Sequence, residues 1–259
     1  SVTGVQTCAL PICHWRQSID YYREVLKEVP ADRSAATNLV TVRRMLVDLL
    51  LDAARRSESA AALAERQNPR KEQVTNRQLQ QLRNAFEKFS EARQADPESR
   101  EATEGEQRLR EQLARALAKE GSRRASIPPS LKVNPREPSL PLLNIQPVEE
   151  GVGMVQDADQ LKPNDPGIQG ALKQGKEKLA DAHTQQAQTY LSLEERIPIP
   201  REKFAVLRMA KESAEKALDH VPEHKRAQQT MEEINRRLAN LHEEQGDTLS
   251  KLKIGRAHV

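Results

Sequence analysis

Apolar residues recur along this chain at three- and four-residue intervals, the period that gathers them on one face of an α-helix. Residues 14–29, HWRQSIDYYREVLKEV, read as a first helix, punctuated by Pro30 and Asp32. A second begins near Ser34 and carries Ala35, Leu39, Val42, Leu46 and Leu49 toward residue 67, before the turn signal NPRK at 68–71. Leu79, Leu82, Phe86 and Phe89 mark a third helix, and ADP at 95–97 ends it. Asp96 with Pro97 has the chemistry of an N-cap followed by a first helical residue. A fourth helix carries Ala102, Leu109, Leu113 and Ala116, and Gly121 is expected to close it.

Residues 122–150 break the pattern. Pro128, Pro129, Pro135, Pro138, Pro141 and Pro147 fix φ and remove amide donors, so an extended, partly polyproline-II linker is expected here. Leu140, Leu142, Leu143 and Ile145 would hold part of it against a surface. The helical pattern resumes at 151–162, breaks at KPNDPG and runs again over 167–195, until RIPIP at 196–200 forms a second hinge. Phe204, Leu207, Ala210, Ala214, Ala217 and Val221 make one further stripe; Ala227, Met231, Ile234, Leu238 and Leu241 make the last. The expected fold is all-α, with about eight helices in two groups of four. Antiparallel hairpins would occupy 14–121 and 151–252, joined by a Pro-rich linker at 122–150.

Composition agrees with exposed helices. Charged residues make up 31% and aromatics 3%, leaving few residues suited to an extensive sheet. The net charge of +3 is small against 41 basic and 38 acidic residues, which argues against a dedicated nucleic-acid binder. The longest apolar run, MLVDLLLDAA at 45–54, is broken by Asp48 and is too short to span a bilayer. With Asp48 and Asp52 in it, this stretch fits a core helix better than a membrane-surface one.

The two ends differ from the rest. IGRAHV at 254–259 can be encoded by a DNA string whose reverse complement, read in another frame, encodes QTCALPI at 6–12. That string resembles a sequencing-library adapter. Residues 1–13 and 253–259 are therefore expected to be non-native, with the native segment cut at both ends. Cys8 lies in the first stretch and Cys13 at its junction, so thiol chemistry and disulfides are not expected of the native segment. No compartment follows from this.

The chain also repeats weakly. Pro30, Pro97, Pro166 and Pro222 are each followed five residues later by alanine, at Ala35, Ala102, Ala171 and Ala227. The first two separations are close to twice the ~34-residue tetratricopeptide unit. AFEKFSEARQADP places Ala85, Phe89, Ala92 and Pro97 in the order small, aromatic, alanine, proline. AKESAEKALDHVP keeps Ala210, Ala217 and Pro222 in that register, with Ala214 where the aromatic is expected. SIDYYREVLKEVP keeps Tyr22 and Pro30, with Ser18 and Val25 in place of the alanines, and Pro163 fits a third unit with Gly151, Val155 and Ala158. This resembles the second helix of a tetratricopeptide repeat; the first-helix signature of that family is not recognisable. The resemblance implies an α-solenoid whose concave face binds peptides or helices of partner proteins. Generic helical hairpins or a spectrin-like bundle fit the same stripes.

Candidate chemistry is sparse. GVG at 151–153 lacks the rest of a phosphate loop. His220 and His224 are separated by Pro222 and have no placed carboxylate or thiolate partner, so no metal or other cofactor is expected. His183, among Gln and Thr, reads as a solvated histidine. Ser126 and Ser130 have no base at motif spacing, although RRAS at 123–126 resembles a basophilic kinase site. NRRLANLH and RQNPRKEQVTNR interleave basic with acidic or polar residues and offer no aromatic stacking platform. No catalytic, cofactor-binding or metal residue is assigned, and no binding residue is picked out. The expectation is a non-enzymatic scaffold for a protein partner, with self-association through exposed repeat ends. A coiled-coil-like spacer and an accessory region of a larger enzyme are the competing readings.

Overall fold

A computed structural model describes residues 6–68, 70, 73–133 and 141–256. The fold is all-α. Its helices are α1 (Gln6–Glu28), α2 (Arg33–Arg66), α3 (Asn76–Ala95), α4 (Arg100–Ala125), α5 (Gln146–Leu161), α6 (Pro166–Glu194), α7 (Pro200–His220) and α8 (Lys225–Arg256). α1 packs on α2, α2 on α3, α6 on α7 and α7 on α8. Two compact units are distinguished: 1–117 with 160–163, and 118–159 with 164–259.

Four helix–helix connections share one construction. Each is a four-residue turn with proline second: Val29-Pro30-Ala31-Asp32, Asp96-Pro97-Glu98-Ser99, Lys162-Pro163-Asn164-Asp165 and Val221-Pro222-Glu223-His224. Proline drives the preceding residue out of the helical region, and both Asp96 (φ −137°, ψ 94°) and Val221 (φ −142°, ψ 91°) are extended. In three of the turns the amide of the fourth residue donates to the carbonyl of the first: Asp32 to Val29 (3.1 Å), Ser99 to Asp96 (3.2 Å) and His224 to Val221 (3.0 Å). In all four, that fourth residue caps the next helix. Asp32 accepts from Ala35 N–H (2.9 Å), Ser99 from Ala102 (3.3 Å), Asp165 from Ile168 (3.2 Å) and His224 Nδ1 from Ala227 (3.2 Å). The amide five residues after the turn proline is thus satisfied each time by the same device.

This geometry corrects two expectations. Asp96 is not an N-cap: it ends α3 and its side chain closes a tight turn by accepting from Glu98 N–H (3.1 Å), while Ser99 caps α4. Pro166 is the first residue of α6, and Pro163 is the turn proline, with Ile168 rather than Ala171 at the buried fifth position.

The triplets before three of these turns are core, two of them small–bulky–small and one all alanine. Ala85, Phe89 and Ala92 are buried, as are Gly151, Val155 and Ala158, and Ala210, Ala214 and Ala217. Small residues let neighbouring helices approach, and the bulkier residue fills the gap. Phe89 shows how tightly: its ring presses on Gly105 of α4, leaving no room for a Cβ there. In the first unit, Leu46, Leu50, Leu51 and Ala54 of α2 join Leu79 and Leu82 of α3 in the core. The stretch 45–54 is therefore a buried helix face, with Asp48 and Asp52 exposed. Among the described residues, no helix is long and apolar enough to cross a membrane.

Gly121 does not close α4. The helix runs on to Ala125, and Gly121 lies against Gly151 of α5. A Cβ on Gly121 would sit 2.6 Å from the Gly151 carbonyl oxygen, so glycine serves close approach here rather than termination. The Pro-rich stretch is also less uniform than a linker. Its first residues belong to α4, its last to α5, and between them β1 (Ser130–Val133) pairs antiparallel with β2 (Pro141–Asn144), Leu131 opposite Leu143. Pro135 and Pro138, and Leu140, lie outside the described residues. The hairpin is held to α6 by Leu143 N–H, which donates to Gln186 Oε1 at 2.5 Å.

Candidate functional site: the α7–α8 groove and the polar face of α6

The second unit carries two of the larger concavities and a set of buried polar side chains. Its core is built on Ala187, Tyr190 and Leu191 of α6, Leu207, Ala210 and Ala214 of α7, and Ile234 and Leu241 of α8. α6 is central, and its polar residues are buried with its apolar ones: His183, Thr184, Gln186 and Glu194 are each under a tenth exposed.

His183 overturns the expectation of a solvated histidine. It is 4% exposed and stacks on His220 of α7, ring centroids 5.8 Å apart and planes within 15°. Burial first, and repulsion from His220 and Lys216 second, push its pKa down to about 4. Glu149 Oε1 stands 3.8 Å from Nε2, beyond a hydrogen bond. Near neutral pH this is an uncharged ring in a packed stack.

Glu194, 8% exposed at its side chain, is held by Lys203 of α7 (3.1 Å) and Arg237 of α8 (2.9 Å). Arg237 also binds Glu195 (2.9 Å) and Glu233 (2.7 Å). Burial works against the Arg237 charge, but hydrogen bonds to Glu233, Glu194 and Glu195 outweigh it and raise the pKa above the usual guanidinium range. At the end of α4, Arg123 and Arg124 both clamp the buried Glu120. The two arginines of RRAS thus serve an internal ion pair. Ser126 follows in an exposed turn and accepts from Lys178 Nζ (2.7 Å).

His224, weighed as half of a histidine pair, is a helix cap instead. Its Nδ1 accepts from Ala227, and its Nε2 lies 3.3 Å from Asp181, which fixes the tautomer with the proton on Nε2. Among the described residues, no group of three or more His, Cys, Asp or Glu is arranged to hold a metal ion.

Two concavities of this unit are lined by described residues. One, of about 560 Å³, is bordered by Leu172, Lys173 and Lys176 of α6, by His220 at the end of α7 and by Pro222 of the turn after it. Asp159, whose Oδ1 is buried without a hydrogen-bond partner among the described residues, also lines it. The other, of about 680 Å³, runs between α7 and α8. Arg201, Phe204, Ala205, Arg208 and Lys211 form its α7 wall; Leu238, His242 and Gln245 form the α8 wall. Phe204 and His242 meet edge to face at 4.6 Å. Phe204 and Leu238 belong to the margin of the core, so the floor is apolar. The described residues lining it include no carboxylate. The Arg201 and Arg208 side chains are exposed and make no ion pair or hydrogen bond among the described residues; that of Lys211 reaches only Glu215, at 3.9 Å. Nothing in the sequence marked these residues, because the pairing state of an arginine depends on the neighbouring helix.

The chain matches no protein-family model and no curated protein.

Proposed function

We propose that this chain is a non-enzymatic protein–protein interaction scaffold built from helical hairpins of tetratricopeptide-like design. The observation that carries the reading is the α7–α8 groove, an apolar floor edged by Arg201 and Arg208, exposed side chains with no ion-pair partner among the described residues. The repeated proline turn with its cap at a fixed position, following a buried small–bulky–small triplet in two cases and three buried alanines in a third, supports a repeat scaffold. Stacked hairpins of this kind present side chains on rigid helices, which suits docking of an extended or helical segment. Several titratable groups that could have suggested catalysis have structural tasks: His224 caps, Glu194 and Glu120 are clamped, and His183 is packed neutral.

The test is affinity capture with the whole chain, followed by size-exclusion chromatography with light scattering on the eluted complex. A protein that co-migrates in fixed stoichiometry and competes with its own unlabelled form is expected. Recovery of the folded chain alone, or only with itself, would overturn the scaffold reading.

A further inference from the structure

We infer that the α7–α8 groove takes an acidic, amphipathic helical segment of a partner protein. This rests on the scaffold reading and specifies the chemistry of its ligand.

The cations are spaced for such a ligand. Arg201, Arg208 and Lys211 lie on one face of α7, spanning about 15 Å at 1.5 Å per residue. Carboxylates at seven- and three-residue intervals on a docked helix would meet them in turn. Between the cations, Ala205 is small and exposed, and Phe204 and Leu238 provide an apolar floor. That slot accepts the ridge of a neighbouring helix and an apolar anchor on it.

Internal stability does not account for the cations. Arg201 stands in the first turn of α7, where a positive charge opposes the helix dipole, and Ile199 gives that end no side-chain cap. Elsewhere in the unit, Arg237 satisfies three carboxylates, so arginines without a partner among the described residues are not forced by a shortage of acids. The groove suits nucleic acid less well. Phe204 is half-buried and its ring is engaged edge to face by His242, so it is a poor platform for a stacked base.

The experiment uses the full chain and a short fluorescent peptide of glutamates with leucine at helical spacing. Its glutamine-for-glutamate analogue, its alanine-for-leucine analogue and a fluorescent single-stranded DNA are measured beside it by anisotropy. Saturable binding of the first peptide is expected, weakening as salt rises, with both analogues at least about tenfold weaker. Arg201→Glu with Arg208→Glu should abolish binding, and Ala205→Trp should block it by filling the slot. All three positions are exposed, so circular dichroism should be unchanged. No saturable peptide binding, binding unaffected by the charge reversals, or preferential binding of the DNA would each overturn the inference. If a captured protein partner still binds the charge-reversed chain, the scaffold reading stands and this assignment of its groove falls.

Discussion

Gly121 of α4 and Gly151 of α5 meet backbone to backbone, each carbonyl occupying the space where the other residue's Cβ would be. On helix propensity alone, alanine at an interior glycine would stabilise by about 1 kcal/mol. Here the obstacle is backbone oxygen, which cannot rotate away, and overpacking of this kind costs roughly 1–3 kcal/mol. Gly121→Ala should therefore lower the urea midpoint of the chain. Gly170→Ala, where no atom lies within 4 Å of the added Cβ, should leave it unchanged or raise it.

The turn caps give a matched set. Each of Asp32, Ser99, Asp165 and His224 satisfies the amide five residues after a proline. Replacing any one with alanine should cost about 0.5–2 kcal/mol. His224→Asp should retain most of the stability, because a carboxylate also accepts from Ala227 N–H and favours a helix N-terminus. Chemical denaturation of the variants checks both points. A His224→Asp loss as large as that of His224→Ala would show that the Asp181 contact, not the cap, is what matters.

Much of this fold was legible because burial imposes its period on the sequence. Leu39, Val42 and Leu46, or Leu207, Ala210, Ala214 and Ala217, need no knowledge of their partners to be recognised as helix faces. Turn prolines were legible for a similarly local reason. What was not legible depended on residues far along the chain. Gly121 looked like a helix end because a lone glycine usually is one, while its reason for being glycine lies at Gly151. His183 looked solvated because it stands among polar residues; it is buried with Thr184 and Gln186 because α6 is packed by neighbours on several sides. The groove cations were hidden among many arginines, distinguished only by which carboxylates reach them.

Arg237 should be the most sensitive charged residue of the second unit. It ties α8 to Glu194 and Glu195 at the end of α6 and braces itself on Glu233. Arg237→Met removes one partner of a buried carboxylate, which costs roughly 3 kcal/mol even though Lys203 still reaches Glu194. Adding Glu194→Gln should restore part of that loss, since the stranded charge goes with it. A thermodynamic double-mutant cycle reads the coupling. Strict additivity of the two losses would refute an energetic link between them.

His183 makes the stability of the chain pH-dependent in a defined window. Its folded-state pKa lies near 4, against about 6.5 when unfolded. Above that unfolded value the ring is neutral in both states and its burial carries no protonation penalty. As pH falls, the unfolded chain binds a proton that the folded chain refuses, so stability declines from about pH 6.5 and the loss is complete near pH 4. The full effect is on the order of 3 kcal/mol. His183→Phe keeps a flat ring for the stack on His220 but cannot titrate. Urea midpoints measured from pH 7.5 down to pH 4 should fall less steeply for this variant than for the parent chain. Equal slopes would place the acid sensitivity elsewhere, in carboxylates such as Glu120, whose bonds from Arg123 and Arg124 outweigh the cost of burial and hold its pKa below the usual value.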